Sequence, residues 1–179
     1  GLLPGAGGTQ RLPRLIGPSA ALKMMLAGTP MSAKKALHQG VIDAISENSL
    51  LEDAIVFLQD KIGLDSHPKV RDKNEKIIEA RGDINVLTEA RALAAKTRKG
   101  QFAPGQIIAC VEAAINEDNF DDGMKKEADY FLECLLHPQR EAMIHIFFDE
   151  RAASKISDVP KDTPLLPINS AGVVGSGTM

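Results

Sequence analysis

Cysteine is scarce in this 179-residue chain: there are two, Cys110 and Cys134. They are too few and too far apart for a disulfide framework or a zinc knuckle. Each sits in an apolar stretch, and both read as reduced core residues. Aromatic residues are equally sparse, at 4% with no Trp. Strands draw on Val, Ile, Thr, Tyr and Phe, so a chain rich instead in Ala and Leu is expected to be mostly α. Neither sign of charge dominates: 21 Lys plus Arg face 24 Asp plus Glu, a net charge of -3. This balance gives neither a basic nucleic-acid surface nor an acidic tail. No apolar run approaches the roughly 18 residues of a membrane-crossing helix, so membrane spanning is not supported. No basic-then-apolar leader opens the chain, so secretion is not supported either and a soluble intracellular protein is expected. The chain opens on Gly1 and closes on VVGSGTM in the middle of a pattern, so both ends look cut.

What is present is helix punctuation. Residues 1–8, GLLPGAGG, hold four glycines in eight positions and should form a tight loop. Short helices are expected over Thr9 to Ile16, over Ser19 to Leu26 after Pro18, and from an N-cap at Ser32 to Gln39 before Gly40. Val41 to Ile45 alternates like a short strand. Ser49 to Glu52, SLLE, fits a capping box opening a helix to about Ile62. Between Asp65 and Asp83 ten of nineteen residues are charged, so this stretch should bury little and form at most one helical turn near Glu75 to Ala80.

Four longer helical patterns follow. The first turns Val86, Ala90, Leu93 and Ala94 inward, and the second Ile107, Ile108, Val111 and Ile115 after Pro104. The third sets Ala128, Phe131, Leu132, Leu135 and Leu136 on one face and ends at His137 before Pro138. The fourth, Gln139 to Ile156, carries Ile144, Phe147, Phe148 and Ala152 on a stripe widened by Met143 and Ile146, and should be buried between layers with Phe147 in the core. By this pattern the helices between Val86 and Ile156 form the stable core, and residues 1–16 are less protected. Pro160, Pro164 and Pro167 then make an extended linker. Beyond it AGVVGSGTM reads as a buried strand entering a glycine turn. Gly175 and Gly177 there match the first two glycines of GxGxxG, a pattern whose amides meet a pyrophosphate and which a flexible Gly-Ser tail can also produce.

Titratable residues offer little chemistry on their own. His38, His67, His137 and His145 lack paired ligand spacing, so no metal site is expected. Glu112, Glu127, Glu133 and Glu141 lie on predicted helices with polar neighbours and read as solvated faces.

The segments GLLPGAGGTQRLPRLIG and LAGTPMSAKKALHQGVIDAI resemble the crotonase, or enoyl-CoA hydratase, superfamily in order and spacing. FFDERAASKI, the proline linker and VVGSGTM resemble the multifunctional fatty-acid oxidation enzymes that join a hydratase to a 3-hydroxyacyl-CoA dehydrogenase. The resemblance implies residues 1–46 as the C-terminal part of a crotonase-like domain, 47–156 as a helical region linking hydratase and dehydrogenase, 157–170 as the linker, and 171–179 as the first strand of a dinucleotide-binding Rossmann domain. It also implies acyl-CoA substrates, a bacterial-type form, a thiolase subunit as partner, and NAD as the parent's cofactor with Gly175 and Gly177 toward it. The family's two glutamates and its oxyanion amides precede GLLPGAGG in order, and the dehydrogenase His and Glu follow residue 179. No catalytic residue is therefore expected in this piece, which should be inactive alone. The amide after the loop proline, which helps hold the water, maps onto Gly5. A self-standing helical interaction module, with residues 128–156 as a partner surface, is the competing reading.

Overall fold

A computed structural model describes residues 1–179 apart from 65, 154, 157, 161, 176, 178 and 179. Among the described residues the regular structure is helical: α1 Gly8–Ile16, α2 Pro18–Ala27, α3 Ala33–Gln39, α4 Leu50–Gln59, α5 Glu75–Ala80, α6 Ile84–Thr97, α7 Ala103–Asn116, α8 Phe120–Leu136 and α9 Pro138–Ala153. A 3-10 turn, Val70–Asp72, precedes α5. Residues 1–144 form one compact unit and 145–179 a second.

Helix starts and stops follow the punctuation. Pro18 opens α2, where its missing amide costs nothing. Ser32 caps α3 by accepting from the Lys35 amide at 3.3 Å, and Gly40 closes it in the left-handed region at φ 75°. His137 ends α8, its ring stacked on Phe102 at 4.1 Å between centroids.

Helix α7 is the centre of the first unit. It packs against α1, α2, α5, α6 and α8, and Ile107, Ile108, Val111 and Ile115 are all buried as its pattern requires. Leu22 and Leu26 of α2, Ala90 of α6 and Cys134 of α8 close around it, with Val86, Leu93 and Ala94 partly buried at the edge. Both cysteines are free and buried.

Several expectations are corrected. Val41 to Ile45 forms bends, not a strand, because no strand among the described residues lies beside it to accept its hydrogen bonds. The capping box at Ser49 does not form. Asp53 instead accepts from Ser46 Oγ at 2.7 Å, the Glu47 amide at 3.0 Å and the Asn48 amide at 3.3 Å, fixing the turn before α4. Those bonds hold its carboxyl below the usual carboxylate range, the Ser46 hydroxyl most of all. The charged stretch does follow its expectation: among its described residues it buries Ile77 alone, through α5 at Glu75–Ala80. Residues 1–16 are not the less protected part: Leu3, Thr9, Gln10, Pro13 and Arg14 are buried.

The inward face of α8 is Phe120, Gly123, Glu127 and Cys134 with Phe131 at its edge, whereas Leu132, Leu135 and Leu136 are exposed. Helix α9 buries nothing. Phe147, 48% exposed, meets Phe148 edge-on at 5.4 Å and the Arg151 guanidinium at 3.4 Å, both on its own helix. An apolar stripe shows which face could be covered, and here Ile146, Phe147 and Phe148 on it stay exposed. In 171–175 no strand forms, and Val173 and Val174 are fully open, because a buried parallel strand needs neighbours on both sides. The rest of that expected Rossmann strand and turn, at 176, 178 and 179, lies outside the described residues.

Ile107→Ala should therefore destabilise the first unit by about 2 to 5 kcal/mol, the cost of emptying a buried aliphatic site, while Phe147→Ala should cost under about 1 kcal/mol. Denaturant melts of the two variants decide this, and equal losses would contradict the assignment of α7 as the centre.

Candidate functional site

The glycine loop owes its shape to left-handed backbone. Ala6, with φ 54°, and Gly7, with φ 82°, turn the chain sharply into α1. At Gly7 the left-handed φ itself favours glycine, and a Cβ there would also displace the Arg11 guanidinium. At Gly5 the constraint is a neighbour: the Phe131 ring of α8 lies 3.2 Å from where a Cβ would stand.

The turn leaves the first amides of α1 pointing at one spot, and α1 has no side-chain cap of its own. Glu127 of α8 fills that spot. Its Oε1 accepts from the Gly7 amide at 2.6 Å, and its Oε2 from the Thr9 amide at 3.1 Å and the Thr9 hydroxyl at 2.5 Å. The carboxylate is 3% exposed. A buried charge of this kind is tolerable because three donors and the positive end of the helix replace its water. Glu127 is thus the cap of a helix that lies more than a hundred positions earlier in the chain.

Around it the buried face of α1 is polar. Gln10 donates to Thr9 Oγ1 at 3.1 Å and to the Cys110 carbonyl of α7 at 2.9 Å. Its Oε1 faces Gly123 so closely that a Cβ there would stand 2.2 Å away, which lets α1 and α8 cross in contact. Arg14 donates to the Gln10 carbonyl at 2.7 Å and to Asn74 Oδ1 at 3.3 Å. Burial raises the Cys110 thiol to about 12, against the opposing hydrogen bond of Thr9, with the Glu127 charge adding to the rise. Burial also raises the Cys134 thiol. Neither is an activated nucleophile.

The structure brings Gly5 to the bracing helix α8. Among the described residues its amide donates to no acceptor, while its carbonyl accepts from the Gly8 amide at 3.1 Å. Gly175, at φ 88°, and Gly177 lie in the second unit with open space where a Cβ would go. No strand precedes them among the described residues. No group of three metal-ligating side chains occurs among the described residues, and no helix among them is long and apolar enough to cross a membrane.

Glu127 is the residue that sequence reading misplaced, since it was assigned to a solvated face. The usable signal was its register: Phe120, Gly123, Glu127, Phe131 and Cys134 recur at the three-and-four spacing of one helical face. Of the other glutamates so assigned, Glu112 pairs with Arg91 at 2.7 Å and Glu133 accepts from Gln106 at 2.5 Å, both at the surface.

Residues 1–106 match the enoyl-CoA hydratase/isomerase family. The chain is also 34% identical, over 183 aligned residues, to the peroxisomal bifunctional enzyme of Cavia porcellus. That alignment covers 100% of this chain and 25% of the relative, so the chain spans a quarter of that protein's length.

Glu127→Ala would leave the Gly7 and Thr9 amides buried without an acceptor, and should cost about 3 kcal/mol or more. Hydrogen exchange at these two amides should rise with it; unchanged protection would refute the cap. The Cys110 shift has its own signature. A thiol whose pKa is raised from 9.0 to about 12 on folding favours the folded state fully below pH 9. That contribution is lost as pH climbs through this window, because the unfolded thiol ionises first. Unfolding midpoints should fall more steeply above pH 9 for the parent than for Cys110→Ala.

Proposed function

The chain belongs to the enoyl-CoA hydratase/isomerase family, and from that premise we propose that it is part of a fatty-acid β-oxidation enzyme. The parent hydrates a 2-enoyl-CoA thioester to the 3-hydroxyacyl-CoA and then oxidises that product to the 3-ketoacyl-CoA with NAD. In hydration, water places its hydroxyl on C3 and a proton ends on C2, while negative charge passes through the thioester oxygen. The reaction needs acid/base groups, oxyanion donors and a held water. Of these the 179 residues supply the last, through the Gly5 amide.

The observation that carries this reading is the free Gly5 amide on a loop locked by Glu127. A donor can fix a water only if its own backbone is fixed, and the three bonds from Gly7 and Thr9 to Glu127 do this two residues away. We read residues 1–46 as the C-terminal part of the crotonase-like domain, 47–156 as the helical connection, 157–170 as the linker and 171–179 as the start of the dinucleotide-binding domain. Gly175 and Gly177 have the openness that a pyrophosphate approach needs. We assign the oxidation to the longer protein, since no strand flanks these glycines among the described residues. NAD supplies a hydride acceptor there. Acyl-CoA is the substrate class, and a thiolase subunit is the partner that would take the 3-ketoacyl product. We read the compartment as cytoplasmic; the relative's name places that protein in peroxisomes.

One observation favours the second reading, a helical interaction module. Helix α4 buries no residue, and Leu50, Leu51, Val56 and Leu58 are all more than half exposed.

Two assays test the first reading. The isolated chain should turn over neither crotonyl-CoA nor 3-hydroxybutyryl-CoA plus NAD, since positioning without acid/base groups rarely suffices. In the longer parent, Gly5→Pro deletes the amide and should lower hydratase kcat about 100-fold while leaving dehydrogenase turnover within about twofold. Unchanged hydratase turnover would remove Gly5 from the reaction.

A further inference from the structure

Three guanidiniums gather on one buried ring. Arg11, Arg14 and Arg71 lie 5.4, 5.0 and 5.0 Å from the centroid of Phe120, drawn from α1 and from the turn before α5. A phenyl ring offers two faces, so three cations cannot each have one, and their charges crowd. Arg14 and Arg71 both lie 5.0 Å from the same point, so they cannot be farther apart than twice that, about one Debye length at roughly 0.1 M salt. The crowding registers on Arg14, whose pKa is lowered first by burial and then by the charge of Arg71.

Protein acceptors leave this cluster undersatisfied. Arg11 donates to the Ala6 carbonyl at 2.5 Å, Arg14 to the Gln10 carbonyl and Asn74, and Arg71 to Asp121 at 2.6 Å. Each guanidinium has five N–H donors, so most remain unclaimed. Asp121 is the single carboxylate ion-paired with the three among the described residues. The excess is local, because the chain as a whole is net negative at -3. Arg14, 5% exposed, is held as the floor, while Arg11 and the 44%-exposed Arg71 side chain reach solvent.

We propose that Arg11, Arg14 and Arg71 around Phe120 form a surface site for a phosphate-class oxyanion, which adjoins the glycine loop through the Arg11–Ala6 contact and is argued independently of the hydratase reading. A tetrahedral oxyanion presents three or four oxygens in different directions, whereas a carboxylate presents two, and Asp121 already occupies the carboxylate position on Arg71. The phosphate arrives either as the free ion or on an organic ester.

Calorimetric titration of the 179-residue chain at constant ionic strength tests this, with inorganic phosphate and glycerol phosphate as separate probes. Saturable binding is expected for at least one probe. Arg11→Gln and Arg71→Gln, both at exposed positions, should each weaken it about tenfold or more, the worth of a hydrogen bond to a charged group. Asp121→Asn removes the internal competitor and should tighten binding, an effect that loss of structure would not produce. Stronger binding of glycerol phosphate would assign the site to an organic phosphate, and equal or weaker binding to the free ion. Absence of saturable heat with both probes would overturn the proposal. So would affinity unchanged by both arginine variants, or affinity lowered by Asp121→Asn.

Discussion

The carboxylate of Glu127 at the N-terminus of α1 is the constraint on which the first unit depends. Without an acceptor, the Gly7 and Thr9 amides and the Thr9 hydroxyl would be three buried donors facing nothing, and the left-handed turn through Ala6 and Gly7 would have no reason to persist. With it, α1 and α8 are fixed end to side. Gly123 then has to be a glycine, because Gln10 stands where its Cβ would be. Gln10 in turn reaches the Cys110 carbonyl, tying the polar face of α1 to the apolar centre of α7. One ion thus sets the position of three helices.

Burying Thr9, Gln10, Arg14 and Glu127 stabilises less than the same volume of Leu would, since each polar group must first lose its water. What the network adds is selectivity. Leu22 or Ile107 can pack in several registers, but the Gln10 amide can meet the Cys110 carbonyl and Thr9 together in only one. The low pattern complexity of a helix-rich chain makes such a register device useful, because apolar stripes at 3.6 spacing are otherwise interchangeable.

The same contrast explains how much could be read from the residues. Helix starts at Pro18 and Ser32, stops at Gly40 and His137, and the inward faces of α6 and α7 were legible because caps and periodicity are local properties. The α1 face was not: Thr, Gln and Arg are solvent residues by composition, and their burial rests on partners far along the chain, Glu127 for Thr9, the Cys110 carbonyl for Gln10 and Asn74 for Arg14. On α8 the richest apolar stripe, through Leu132, Leu135 and Leu136, faces outward, because the crossing with α1 selected the face bearing Gly123 and Glu127. The α9 stripe failed for the complementary reason. Periodicity marks a face that could be covered, and coverage depends on residues elsewhere. Gly5 is a candidate only through family resemblance. The residue that braces it had a readable register, and its glutamate chemistry pointed the wrong way.

The match to the hydratase/isomerase family ends at residue 106, yet the physical unit does not. Most of α7 and all of α8 lie beyond that point, and they supply Val111, Ile115, Glu127, Phe131 and Cys134 to the packing of α1 and α2. The loop carrying Gly5 is therefore shaped on one side by residues within the family match and on the other by residues outside it. Such an arrangement makes the helices after residue 106 part of the matched segment's own support rather than a neutral spacer. Changes between 120 and 134 would reach the glycine loop through Glu127 and the Phe131 ring, without any side chain of that stretch having to touch a substrate.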